Sequence, residues 1–163
     1  MRPSKEDFIR QQGFTTESCH GLYSALMFQP RVIAGLVISG VILQSPWLFV
    51  ALSTVLWWGA LVPSHNPFDA FFNHVIADPM RLPVIPAAPA PRRFSQAMAG
   101  TFAMSIAITL FTGESHVAWL LEGVFIAASM NVVVRRFCVP AHVYHLLRPG
   151  SPETPCPSSS GRV

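Results

Sequence analysis

Charge is what this sequence has least of. Asp, Glu, Lys and Arg together make up 12% of its 163 residues, where a soluble domain carries roughly 25%. The deficit is concentrated in two blocks. Between Arg31 and Asp69 there is no charged residue, and between Arg93 and Arg135 there are only Glu114 and Glu122. Such blocks exclude a soluble fold, because no helix or strand drawn from them could present a charged face to water. A crossing of the bilayer needs roughly 20 mainly apolar residues. Each block is too long for one crossing, and each is interrupted near its middle by turn-forming residues. Cysteine is sparse as well. Cys19, Cys138 and Cys156 are an odd number without framework spacing, which excludes a disulfide scaffold. No cleavable signal peptide is expected either, since the first apolar run starts about 30 residues in, behind a polar segment of mixed charge.

The apolar runs that remain predict an all-α membrane protein. The first block breaks at Gln44-Ser45-Pro46-Trp47. Serine caps a helix start, and proline suits the first helical position because its missing N–H would be unpaired there anyway. Helix one is placed at about 28–43 and helix two at 46–62. The second block breaks at Gly113-Glu114-Ser115-His116; glycine closes one helix and serine opens the next. Helix three is placed at about 94–112 and helix four at 116–137. The expected layout is therefore two hairpins, with one long helix kinked at Pro46 as the alternative.

The basic residues favour the hairpins. With four crossings, all eleven Lys and Arg fall on one side and the two short opposite loops have none. Positive residues stay cytoplasmic, so both termini and the central segment are expected in the cytoplasm, where the cysteines would be free thiols. Trp47 and Trp119 would then lie at the outer interface and Trp57-Trp58 at the inner one. Small residues recur four apart at Gly35/Ser39, Ala99/Ala103/Ala107 and Gly123/Ala127, a pattern that lets membrane helices approach closely. The chain divides into an N-terminal cytoplasmic segment (1–27), a four-helix membrane domain (28–148) and a C-terminal tail (149–163) of disordered composition.

The stretch "HNPFDAFFNH" (65–74) follows helix two. Asn66 is an N-cap and Pro67 a first helical residue, after which Phe68, Phe71, Phe72, Val75 and Ile76 form one apolar stripe. This predicts an interfacial amphipathic helix ended by Asp78-Pro79, with Phe68, Phe71 and Phe72 as a membrane anchor and with Asp69 and Asn73 away from the stripe. His65 and His74, nine apart, are not expected to share a face. Prolines 83, 86, 89 and 91 predict an extended strap back to helix three. Residues 4–13 suit a short helix opened by a Ser4/Asp7 capping box.

"HNPFDAFFNHVIADP", the proline-rich strap, "PRRFSQAMAG" and "FCVPAHVY" together resemble the bacterial family named domain of unknown function 4395, over roughly residues 28–148. The resemblance implies a small four-helix protein of the bacterial cytoplasmic (inner) membrane, and no established activity. Members often carry Cys-x-x-Cys with a tyrosine three residues on. Here Cys138 and Tyr144 fit, but Ala141 stands at the second cysteine position.

Chemistry-bearing residues are few. No histidine lies in the middle of a crossing, which argues against a transmembrane b-type haem and a histidine-held chlorophyll. There is no Gly-rich phosphate loop and no nucleophile–base motif, so no catalytic residue is assigned and the chain is read as non-enzymatic. Glu122 is the one ionisable side chain inside a crossing and the candidate proton site. Asn131 is read as helix–helix glue. Cys138, His142 and His145 are the weak metal candidates. No cofactor is expected, with a bound lipid or pigment at the helix surface left open. The expected partners are the lipid bilayer and either a protein in a membrane complex, respiratory or photosynthetic for example, or further copies of the chain; nucleic acid is not among them. The leading functional expectation is a structural or accessory subunit of such a complex. The alternatives are a thiol- or metal-handling protein centred on Cys138 and a small oligomeric transporter using Glu122.

Overall fold

The computed structural model describes residues 4–16 and 22–155. The described residues are helical with no strand beyond an isolated bridge. The order is α1 (Lys5–Gln11), α2 (Tyr23–Leu26), α3 (Phe28–Leu43), α4 (Pro46–Leu61), α5 (Pro67–Phe71), a π-helical stretch (Phe72–Ala77), α6 (Asp78–Met80), α7 (Ala90–Thr112), α8 (Ser115–Arg135) and α9 (Val139–Leu147).

Three helical runs are long and apolar enough to cross a membrane: Tyr23–Leu43, Ala90–Thr112 and Ser115–Arg135. The apolar α4 is shorter, at 16 residues, or about 24 Å at 1.5 Å per residue. The boundaries follow local chemistry. Gln44 ends α3 in the left-handed conformation, and Ser45 caps α4 by accepting from the Leu48 N–H at 3.4 Å, with Pro46 in its first turn. Gly113, at φ +77°, ends α7. That position needs a positive φ, which glycine adopts without a Cβ penalty.

These long helices share one apolar core. Val37, Phe49, Leu52, Leu56, Ala103, Ile106, Ala107 and Phe125 are buried in it, and α4 against α7 is the most extensive pairing. Small residues set the spacing. A side chain on Gly100 would meet the Trp57 ring at 2.8 Å, and one on Gly40 would meet the Phe49 ring at 2.9 Å. Ser53 adds a buried bond by donating to the Gly100 carbonyl at 2.8 Å. Of the three small-residue stripes, only the Ala103/Ala107 face is buried; Gly35, Ser39, Gly123 and Ala127 are exposed.

A second core lies apart from the first and is built from short pieces. Phe8, Ile9, Phe14, Leu22, Ala25, Leu26 and Met27 pack with Phe72, Ala77 and Ile85. This cap brings the N-terminal segment onto the π-helical stretch and the strap. Ser4 opens α1 with the expected capping box, accepting from Asp7 N–H at 3.0 Å while Asp7 accepts from Ser4 N–H at 2.8 Å. The Tyr23 ring packs edge-on to Phe8 and has Lys5 and Arg136 over it, at 5.5 and 5.4 Å from its centroid. Residues 151–155 run beside the same segment: Thr154 donates to the Gly13 carbonyl at 2.8 Å and accepts from Thr15 at 3.2 Å. The rest of the tail, 156–163, lies outside the described residues, as do Cys19 and Cys156.

Candidate functional site

The central segment positions the site. Asn66 is the N-cap of α5, its side-chain oxygen accepting from Phe68 N–H at 3.2 Å, and Pro67 is the first helical residue. After one turn the helix widens to the π form, whose i→i+5 bonding changes the register of the faces. Already in α5, before that stretch, Asp69 is buried and Phe71 exposed, so the buried face is not the apolar stripe read from the sequence. Phe72 and Ala77 enter the cap core, and Phe68 packs on the bundle core. Phe71 and Val75 stay outside, both more than half exposed. Phe71 stacks on Phe28 with ring centroids 6.1 Å apart. The three phenylalanines therefore do not share one face. The helical run also continues past Asp78-Pro79 through α6, ending where Arg81 turns left-handed.

Asp69 and Asn73, expected away from the apolar stripe, instead make the segment's inward polar bonds. Asn73 uses both ends of its amide on the strap, donating to the Ile85 carbonyl at 3.0 Å and accepting from Ile85 N–H at 2.9 Å. Asp69 is buried, and its Oδ1 accepts from Arg92 Nη2 at 2.5 Å. The same Nη2 donates to Gln29 Oε1 at 2.7 Å, which also accepts from Gln96 Nε2 at 3.1 Å. Gly59 keeps room for the group, since a side chain there would meet Asn66 at 3.0 Å and Gln96 at 3.1 Å. Next in the chain, Arg93 donates to the Ala60 carbonyl at 2.8 Å, tying α7 to the end of α4.

This cluster is electrostatically costly. Burial pushes the Asp69 carboxyl above its ordinary range, against the opposing pull of the Arg92 guanidinium. Asn66 Nδ2, Asp69 Oδ2, Arg92 Nη1 and Gln96 Oε1 are buried without a hydrogen-bond partner among the described residues. A partly satisfied buried ion pair gives a junction its register more readily than net stability. Beside it opens a pocket of about 320 Å³ lined by His65, Asp69, Asn73 and His74 among others, so the two histidines line one surface despite their spacing.

The other candidates are separate from this cluster. Glu122 is buried in α8, and both of its carboxylate oxygens accept from Gln44 Nε2, at 3.1 and 3.2 Å. That bond links α8 to the left-handed end of α3. Cys138 is a buried free thiol that donates to Ser95 Oγ at 3.5 Å, and its backbone N–H donates to Gln11 Oε1 at 2.8 Å. His145 Nε2 lies 3.1 Å from the Gln11 carbonyl, while the His142 ring packs on Phe137. Cys138, His142 and His145 do not converge: among the described residues no group of three His, Cys, Asp or Glu could hold a metal ion. Asn131, read as glue between helices, donates to the Phe137 carbonyl at 2.8 Å and fixes the link from α8 to α9.

The sequence reading missed Gln29, Asp69, Arg92 and Gln96 as a set. A signal was present, since Asp69 and Arg92 each stand beside an apolar block. An acid and a base at the same end of two helices are natural partners, but their pairing depends on how those helices pack.

The fold and this junction define an all-helical, membrane-type protein whose central charged residues are paired inside it. The family model described as Domain of unknown function (DUF4395) matches residues 24–148, and the chain belongs to that family. The two stretches that carried the resemblance, one with Asn66 and Asp69 and one with Arg92 and Arg93, meet in the buried cluster. No curated protein and no solved structure matches the chain.

Proposed function

We propose that the protein is a multi-pass, non-enzymatic component of a bacterial cytoplasmic membrane, acting as a structural or accessory subunit that packs against a larger membrane complex. In this reading α3, α4, α7 and α8 are four crossings arranged as two hairpins, with both termini in the cytoplasm. The shorter α4 would be accommodated by local thinning of the bilayer. Trp47, Trp58 and Trp119 are exposed near helix ends, as interfacial aromatic rings prefer.

The observation that carries the reading is a pair of exposed small-residue faces that the described residues of the chain do not cover. Among the described residues, none from another part of the chain lies within 4 Å of where a side chain on Gly35 or Gly123 would start, and Ser39 and Ala127, one turn on, are exposed with them. Small-residue stripes of this kind let a neighbouring helix approach closely. The ionisable groups meanwhile serve internal contacts, Asp69 with Arg92 and Glu122 with Gln44.

Gentle solubilisation followed by native mass spectrometry tests this directly. The wild-type chain is expected to leave the membrane with a protein partner, and Gly35→Leu or Gly123→Leu to lose that partner while remaining folded. A chain that is monomeric and unpartnered in every preparation would remove the subunit reading. Reporter fusions at residues 1 and 163 test the topology; a split result would remove the four-crossing arrangement.

A further inference from the structure

The short helix α9 has two faces of different character. One packs inward: Ala141 and Cys138 are buried, and the Tyr144 ring lies 5.7 Å from Phe94 near the start of α7. The other presents Val139, Val143, Leu146 and Leu147, all exposed, with the last two more than two-thirds exposed. Their spacing, i, i+4, i+7 and i+8, is one apolar stripe along the helix. The sequence analysis assigned no helix to this stretch, which carries a proline, Pro140, near its start. In the structure that proline sits in the first turn, where its missing N–H is no loss.

We infer that this stripe is a membrane-surface site whose occupant is the acyl-chain boundary of an anionic lipid leaflet. Two features identify the occupant. The first is continuity: α9 is held against Phe94 and Ser95, in the first turns of the membrane-type helix α7, which sets it at the level where that helix would enter the bilayer. The second is charge. Arg135 and Arg136 lie just before α9 and Arg148 just after it, so cations bracket the apolar stripe. Apolar residues flanked by arginine are what an interfacial helix uses to lie in the plane of a negatively charged surface. Elsewhere on the same part of the molecule, exposed Phe71 and Val75 offer a second apolar contact. Together they would seat the cap on the leaflet rather than in free cytoplasm.

The inference rests on the membrane reading above, and the test separates the two. The full chain, with Cys19→Ser, Cys138→Ala and Cys156→Ser, receives a single spin label through Leu146→Cys, Val143→Cys or, as a control on α8, Leu120→Cys. Each is reconstituted in phosphatidylcholine vesicles with and without phosphatidylglycerol. Labels at 143 and 146 are expected to collide with oxygen and to be shielded from a water-soluble nickel complex, and more deeply so when phosphatidylglycerol is present. Accessibility to nickel at both positions in both lipids, or protection from both reagents as under a protein partner or a second copy, would overturn the inference. So would equal depth with and without the anionic lipid. A Leu120 label exposed to nickel would instead remove the membrane placement of α8.

Discussion

The bundle and the cap are held together by different physics. In the three long spans, a third or less of the most apolar window is buried within the protein, and residues such as Ile42, Leu120 and Phe111 face outward. If these helices face lipid, as proposed, there is no hydrophobic force between them, and close packing with a few hydrogen bonds is what would hold the bundle. Gly40 under Phe49, Gly100 under Trp57 and Ser53 on the Gly100 carbonyl are those contacts. The cap has the opposite balance. Its helices are too short to be stable alone, and they depend on fully buried side chains such as Phe8, Phe14 and Met27. Removal of apolar area from water is what holds it. The Asp69–Arg92 pair sits where the two regimes meet, which explains why a charge pair is tolerated there.

Breaking that junction should have the largest effect. Arg92→Ala leaves Asp69 buried without a counter-ion, for an expected loss of about 3–5 kcal/mol, read as lowered thermal stability in detergent. Replacing both partners together, Asp69→Leu with Arg92→Met, should recover most of that loss. If the double variant is as unstable as the single one, the pair contributes more than charge balance. Phe8→Ala comes next, removing a fully buried ring from the cap at about 3–5 kcal/mol locally. It should loosen residues 5–11 while the spans keep their protection. A uniform loss would mean that cap and bundle are one cooperative unit.

Within the central segment the structure ranks the aromatics. In hydrogen exchange, Phe72→Ser should release residues 67–77 and the N-terminal segment together, whereas Phe71→Ser, at an exposed position, should leave the N-terminal segment protected and loosen only its own turn. Equal effects would restore the single stripe read from the sequence.

Two smaller effects complete the series. Because burial raises the Asp69 carboxyl above its ordinary 3.8, the folded protein binds this proton more readily than the unfolded chain does. Its contribution to stability is therefore greatest below 3.8 and is lost as the pH rises through the folded value. Mild acidification should then leave the junction intact, as monitored by unfolding midpoints, and the dependence should disappear in the Asp69→Leu/Arg92→Met variant. Smallest of all is Glu122→Gln, which keeps a side-chain oxygen that can accept from Gln44 and should preserve both folding and cellular phenotype. Loss of phenotype at normal protein level would favour a proton-handling role.

The comparison also explains what could be read from the sequence. Both ends of α3 and the starts of α4 and α8 fell within a residue of their expected positions, because long apolar runs, Ser45-Pro46 and Gly113 carry local signals. The α1 capping box and the Asn66 cap were legible for the same reason. The path of α7 differed at its start, beginning at Ala90 rather than near Phe94, since Pro91 fits a first helical turn. The cap core was not legible, because Phe8, Phe72 and Ile85 come from three separated stretches with no shared period. The site was hidden because its members, Gln29, Asp69, Arg92 and Gln96, come from separated stretches that only packing brings together. Asp69 and Asn73 look like a solvated face on an ideal α-helical wheel, and their partners, Arg92 and the Ile85 backbone, lie in a later stretch of chain that no wheel shows.

Hydrogen exchange on the full chain in nanodiscs, wild type against Arg92→Ala, tests the central claim most directly: a buried polar junction joins a water-stabilised cap to a lipid-stabilised bundle. The account predicts faster exchange at residues 5–11 and 67–77, with residues 100–112 and 116–135 unchanged. Unchanged exchange at the cap, or an equal rise in the bundle helices, would contradict it.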